Sequence, residues 1–198
     1  LKSKHPEIYL RHIGILLDKN GFNRELYEEY LVVLRDTQNR MLINEHGLLL
    51  TLLNIISKFI NSGRNDLSDK VFEIAELLFE KNILLNKGID YVDLKIIIET
   101  AIGNGKYDWA LSYMNKVKMY IKYDFPENVY NMLTSKIYFF KNDYNKARKL
   151  LSGISIDDYI FYCEAKLIEC RIAYLENDLE SVLSSIDTVK KYLRSHKN

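Results

Sequence analysis

Three segments of this chain repeat one apolar phase. They are Tyr107, Ala110, Met114 and Val117, then Tyr144, Ala147, Leu151 and Ile154, then Leu179, Val182, Ile186 and Val189. Each set steps by three, four and three residues, the spacing that lines side chains along one face of an α-helix. The sets are offset by 37 residues (144 − 107) and then by 35 (179 − 144). A recurrence of this period predicts stacked helical hairpins, each too small to bury its own apolar face. With 2 Pro and 8 Gly among 198 residues, the chain has few of the tight turns that a β-rich fold requires. Hydrophobic residues at 47% and charged residues at 28% are the balance of a folded chain rather than a disordered one.

The breaks in the pattern predict about ten helices in five pairs. The pairs are 6–18 with 24–39, 45–61 with 67–82, 89–103 with 107–122, 127–140 with 144–152, and 158–175 with 179–195. Gly21, Gly63 and Gly105 can take the left-handed backbone that ends a helix, and Asn142 and Asn177 stand in comparable places. Asn23, Asp66, Asp143 and Asp178 follow them and can cap the next helix by accepting its free N–H groups. Pro126 and Pro6 sit at helix starts, where a missing N–H costs nothing. Short joints and the absence of a low-complexity stretch predict one continuous all-α body over 1–198. Several helices are apolar on more than one side, as in 127–140, which suits a two-layer solenoid.

Lys plus Arg is 28 and Asp plus Glu is 27, for a formal net charge of +1. Such a chain has no general pull toward phosphate backbones or anionic lipid. Lys190 and Lys191, with Arg194 and Lys197 nearby, read as the cationic last turn of a helix. Cys163 and Cys170 would lie about 10.5 Å apart along one helix, too far for a disulfide, and are expected to be buried apolar residues. A reducing compartment such as the cytoplasm suits them. The longest uncharged apolar run, Gly47 to Ser57, is too short to span a bilayer. The chain begins at Leu1 rather than Met, which predicts a piece of a longer protein.

Two stretches resemble the turn of a tetratricopeptide repeat: Asn104-Gly-Lys-Tyr107-Asp-Trp-Ala110 and Lys141-Asn-Asp-Tyr144-Asn-Lys-Ala147. That family places Gly or Asn in the turn, Tyr at the start of the second helix, and a small Ala three residues later so that the helices approach closely. Ser135 and Tyr138 stand at the family's small and aromatic positions in the preceding helix. The fifth pair is similar with substitutions, Leu179 for Tyr and Val182 for Ala, with Cys170 and Ala173 in its first helix. The resemblance covers residues 89–195. Residues 1–88 look like degenerate or elongated repeats, with turns 42 residues apart (63 − 21 and 105 − 63). The resemblance implies an α-α superhelix that binds proteins or peptides on a concave face lined by the first helix of each repeat. Carried onto this chain, that face includes Lys95, Glu99 and Ile102 in the third pair. It includes Met132, Lys136 and Phe139 in the fourth, and Leu167, Arg171 and Tyr174 in the fifth. Lys136 and Arg171 could hold a carboxylate with Phe139 and Tyr174 packed beside it.

Catalytic arrangements are nearly absent. His5, His12, His46 and His196 begin no His-Glu-x-x-His motif. Gly103-Asn104-Gly105 lacks the third glycine of a dinucleotide fingerprint and follows a helix, so it reads as a turn. Asp157-Asp158 is better explained by helix capping than by acid–base work, and Glu28-Glu29 by a solvated face. No metal, cofactor or catalytic residue is expected.

The leading expectation is therefore a non-catalytic interaction scaffold for a protein, a peptide or a neighbouring domain of the same chain. A homodimer through an end repeat is left open. A peptide-sensing regulatory domain of a larger protein is the alternative. An RNA-binding repeat is a weaker one: Val129-Tyr-Asn131 through Ala147 also resembles a pentatricopeptide repeat, but uneven repeat lengths and near-zero charge argue against a base ladder.

Overall fold

A computed structural model describes residues 5–36, 44–80 and 83–195. The predicted helix ends at 37–39 and 81–82, together with His196 and Lys197, lie outside the described residues. The protein is all-α, with 82% of the described residues helical. The helices are α1 (Pro6–Asn20), α2 (Arg24–Asp36), α3 (Glu45–Asn61), α4 (Ser68–Glu80), the short α5 (Ile83–Lys87), α6 (Tyr91–Gly103), α7 (Tyr107–Val117), α8 (Pro126–Phe140), α9 (Tyr144–Leu151), α10 (Tyr159–Leu175) and α11 (Leu179–Ser195).

Four of the helix ends share one geometry. Gly63, Gly105, Asn142 and Asn177 all have positive φ, between 61° and 103°. The amide that follows each of them reaches back to close the helix: Arg64 N to Phe59 O at 3.0 Å, and Lys106 N to Ala101 O, Asp143 N to Tyr138 O and Asp178 N to Ala173 O at 2.9 Å each. This is the Schellman closure, which satisfies carbonyls left open at a helix end. Side-chain caps then start the next helix. Asn23 accepts from Leu26 N at 3.0 Å, Asp143 from Lys146 N at 3.2 Å and Asp178 from Ser181 N at 3.0 Å. Asp66 departs from the expectation. Its carboxylate is engaged by the Arg64 guanidinium, with Nε and Nη2 both at 2.8 Å, and α4 is entered through a 3₁₀ turn at Asn65–Leu67.

Two predicted helices are also shorter than expected. Ile89–Asp90 is extended after Gly88 (φ 69°), so α6 starts at Tyr91. The helix expected to reach 122 stops at Val117, passes through a 3₁₀ turn at Lys118–Tyr120 and is extended at Ile121–Lys122. Pro126 shortly beyond cannot continue a helix and holds Phe125 away from helical backbone.

The chain divides into two compact units, 1–100 and 101–198. In the first, α1 packs on α2, α3 on α4, and α1 on α3. Its core is built from Leu10, Ile13 and Leu17, Tyr27, Leu31 and Leu34, Leu49, Leu52 and Ile56, and Val71, Ile74 and Leu78. In the second unit, α8 packs on α7, α9 and α10, and α10 packs on α9 and α11. Ala110, Ala147, Val129, Leu133, Ile137 and Ile172 are all fully buried there. The recurring apolar phase is buried in α7 and α9 apart from the half-buried Tyr107 and Tyr144, but not in α11, where Leu179 is 66% exposed and Ile186 38%. α11 instead turns inward around Tyr192, whose hydroxyl donates to Ile156 O at 2.6 Å.

A buried polar latch joins these helices. Asn128, at the start of α8, donates from Nδ2 to Asp158 Oδ2 and accepts from Ser155 N, both at 3.1 Å. Asp158 in turn caps α10 through Phe161 N at 3.4 Å.

Two outcomes follow for stability. Ala147→Leu places a larger side chain where α8 and α9 meet and is expected to destabilise by about 1–3 kcal/mol, read as a lowered Tm. Asn128→Leu strands the Ser155 amide and the Asp158 carboxylate and is expected to cost about 1–3 kcal/mol in urea unfolding. An unchanged midpoint for either would show that the packing at that helix pair is assigned wrongly.

Candidate functional site

The residues that the resemblance nominated fall in different surroundings. Met132 is fully buried, so its side chain belongs to the core. Lys136 is half-buried and pairs with Glu164 at 2.5 Å, its side chain only 13% exposed. Phe139 is half-buried and meets Phe140 edge to face at 5.2 Å, with Tyr144 at 5.9 Å. Leu167, Arg171 and Tyr174 stand on the exposed face of α10, Leu167 and Tyr174 being 57% and 67% exposed. Lys95 and Glu99 belong to the first unit and face each other one turn apart at 3.9 Å. Leu167, Arg171 and Tyr174 thus present surface, while Met132 and Lys136 are occupied within the fold.

A concavity lies in the first unit, between α1 and α3, the first helices of the first two hairpins. Leu10, Gly14 and Ile15 of α1, Tyr30 of α2, and Leu48 and Ile55 of α3 line a groove of about 580 Å³. That is within the range of sites that hold small molecules or peptide side chains. Its floor is rigid: Leu10 is fully buried, and the Tyr30 hydroxyl donates to Leu48 O at 2.9 Å. Burial pushes the Tyr30 phenol well above its usual range, so it stays a neutral donor. Ile15 is 53% exposed and supplies an apolar wall open to solvent.

Gly14 keeps the floor shallow-sided. A Cβ there would meet Ile55 Cδ1 at 3.8 Å, an ordinary contact, so the glycine is not demanded by crowding. Its effect is to leave space. Around the rim stand Arg11, Lys19 and Lys58 with Asp18, and Thr51 and Asn54 add neutral polar groups. Lys58 pairs with Asp18 at 2.7 Å and Arg11 with Glu7 at 2.8 Å, all at exposed positions where such pairs exchange readily with solvent or ligand.

Other candidates resolve into structural roles. Asp158 caps α10, and Asp157 takes part in a local turn with Ser155, its backbone N–H donating to Ser155 Oγ at 3.2 Å. Glu28 and Glu29 are not simply a solvated face. Glu29 accepts from Tyr9 of α1 at 2.8 Å, and Glu28 pairs with Lys70 of α4 at 3.2 Å. Gly103-Asn104-Gly105 is a helix end, as its backbone bonds show. Cys163 and Cys170 are free thiols and half-buried rather than fully buried. Desolvation raises the Cys163 pKa, which lowers its thiolate fraction. His46 places Nε2 3.2 Å from Gly88 O, and His12 is exposed. Among the described residues no cluster of His, Cys, Asp or Glu could hold a metal ion. Among them, too, no helix is long and apolar enough to cross a membrane.

No protein-family model matches the chain, and no curated protein or solved structure matches it significantly. The groove escaped sequence reasoning because the repeat resemblance is weakest before residue 89. The signal that points to it is local: an exposed Ile15 beside a buried Gly14 in α1.

One buried acid in this unit sets a pH dependence. Asp93 is 7% exposed, and desolvation, with Asp90 nearby, raises its pKa, while His46 opposes the shift. A carboxyl whose pKa is raised on folding favours the folded state when protonated. Its penalty is absent below the ordinary carboxylate range, grows as pH rises from there to the raised value, and is fully present above it. Asp93→Asn is therefore expected to raise the Tm at pH 7 and to lose that advantage by about pH 4. An equal effect at both pH values would refute the assignment.

Proposed function

We propose that this chain is a non-catalytic interaction scaffold, a tetratricopeptide-like helical repeat that binds a protein or peptide segment along the first helices of its hairpins. The observation that carries this reading is the groove between α1 and α3. It lies between the first helices of two successive hairpins, the helices that the repeat resemblance assigns to the ligand face, and it combines an apolar floor with a mainly cationic rim. The recurring helix closures at Gly63, Gly105, Asn142 and Asn177 support the repeat character, because one turn geometry recurs although the spacing drifts from 42 to 37 to 35 residues (105 − 63, 142 − 105, 177 − 142).

The chemistry of the groove favours a particular ligand class. An apolar side chain would sit over Leu10, Tyr30 and Ile55. An acidic side chain or terminal carboxylate next to it would compete with Asp18 for Lys58 or with Glu7 for Arg11. Within the second unit, the exposed Arg171 and Tyr174 of α10 are the alternative contact that the resemblance implies.

The test is selection of binders from a random peptide library, followed by fluorescence anisotropy with three variants. Binders are expected to combine an apolar residue with an acid. Ile15→Asp and Gly14→Leu are expected to weaken them at least tenfold, and Arg171→Glu to leave them within about twofold. Binding that survives both groove variants but falls with Arg171→Glu would move the site to α10. Equal binding by all four proteins would sink the groove reading.

A further inference from the structure

The outward face of α11 is a self-complementary helix surface. Leu179, Leu183, Ile186, Lys190 and Leu193 recur at steps of four, three, four and three residues, the spacing of a coiled-coil seam. The four apolar members are open to solvent, at 66%, 65%, 38% and 37% exposure, while the helix's inner face is held by Tyr192. Four exposed apolar side chains in a row are more than scattered surface residues, and they mark a face built for contact.

Two features specify a second copy of the same helix, running antiparallel, as the occupant. The first is the order of the seam. Reversed, it pairs Leu179 with Leu193 of the other copy, Leu183 with Lys190, and Ile186 with itself, so that every layer is filled and the single cation is placed off centre. The second is the charge. Glu180 lies on one flank of the seam near its N-terminus, Asp187 at its centre, and Lys191 and Arg194 on that same flank toward its C-terminus. A two-fold axis across an antiparallel pair brings like flanks together, so Glu180 of one copy stands at the level of Arg194 of the other. Lys190 lays its aliphatic stem on Leu183 of the other copy, with its ammonium between Glu180 and Asp187. A parallel in-register pair would set Lys190 against Lys190 in the seam and would turn each charged flank toward the partner's opposite flank, leaving Glu180 and Arg194 unmatched.

We propose that the chain forms a two-fold symmetric homodimer through α11. A helix of 17 residues is about 25 Å long, so the interface is at the small end for specific association and the dimer is expected to be of micromolar affinity.

Sedimentation velocity over a concentration series tests this with the full chain. The wild type is expected to shift from monomer to dimer across the micromolar range. Ile186→Asp, at a solvent-facing position, is expected to abolish the shift while the helical circular dichroism and Tm stay unchanged. Glu180→Arg and Arg194→Glu made singly are each expected to weaken dimerisation about tenfold or more, and the double swap to restore it. Restoration by the swap separates self-pairing from any other use of this face. A wild type that stays monomeric to about 1 mM, or single reversals with no effect, would overturn the proposal.

Discussion

Close approach of paired helices is the constraint on which the rest of this structure depends. Small residues that are buried to within a few per cent, Ser68, Ala110, Ala147 and Ala173, suit that approach. A larger side chain there would hold the helices apart and leave Leu133, Ile137 and Ile172 without neighbours at packing distance. The positive-φ turns make that approach reachable. A left-handed residue reverses the chain within a few positions, and a capping side chain starts the next helix at once, so the pair is committed to an antiparallel path before any long-range contact forms.

Polar groups supply what apolar packing cannot, namely a fixed register between hairpins. Asn128 spends both ends of its amide on the joint before α10, and Asp158 answers it while capping that helix. In the first unit, Glu29 with Tyr9 and Glu28 with Lys70 tie α2 to α1 and to α4. Because a buried amide left without a partner is costly, such contacts select one alignment among several that would bury similar apolar area. The α1–α3 groove depends on that alignment. Tyr30 reaches Leu48 O only when α2 and α3 are seated together, and this bond closes the floor of the groove.

The molecule presents two surfaces of different character. The groove is concave, rigid at its floor and charged at its rim, so it suits a ligand with an apolar side chain and an acid. The outer face of α11 is an open apolar stripe beside charged residues, and so suits another helix. Lys136 shows how the same residue type can serve either packing or recognition. Its ammonium is held by Glu164 within the second unit, whereas Arg11 and Lys58 at the groove sit in more exposed pairs that a ligand can displace.

Ten of the eleven helices, most of their ends and four of the positive-φ turns were legible in the residues alone, while the short α5 was not. Each depends on local backbone preferences and on neighbours three to five positions away: Gly63, Gly105, Asn142 and Asn177 end helices because their own φ can be positive, and Asp143 and Asp178 cap because the amide they need is three residues on. The exceptions were also local in origin, where Arg64 captured Asp66 and where the chain before Pro126 straightened. What only the tertiary structure decided was which side chains remain available. Met132 and Lys136 share a helical face with Phe139 in any sequence reading, yet one is sealed in the core and the other is paired with a residue 28 positions away (164 − 136). The groove joins residues of α1, α2 and α3 that are as much as 48 positions apart (58 − 10), and the open stripe of α11 is defined by the direction in which Tyr192 anchors that helix. Periodicity specifies that a face is apolar. Whether that face is covered depends on the relative placement of whole helices, which is set by the packing and buried polar contacts between them.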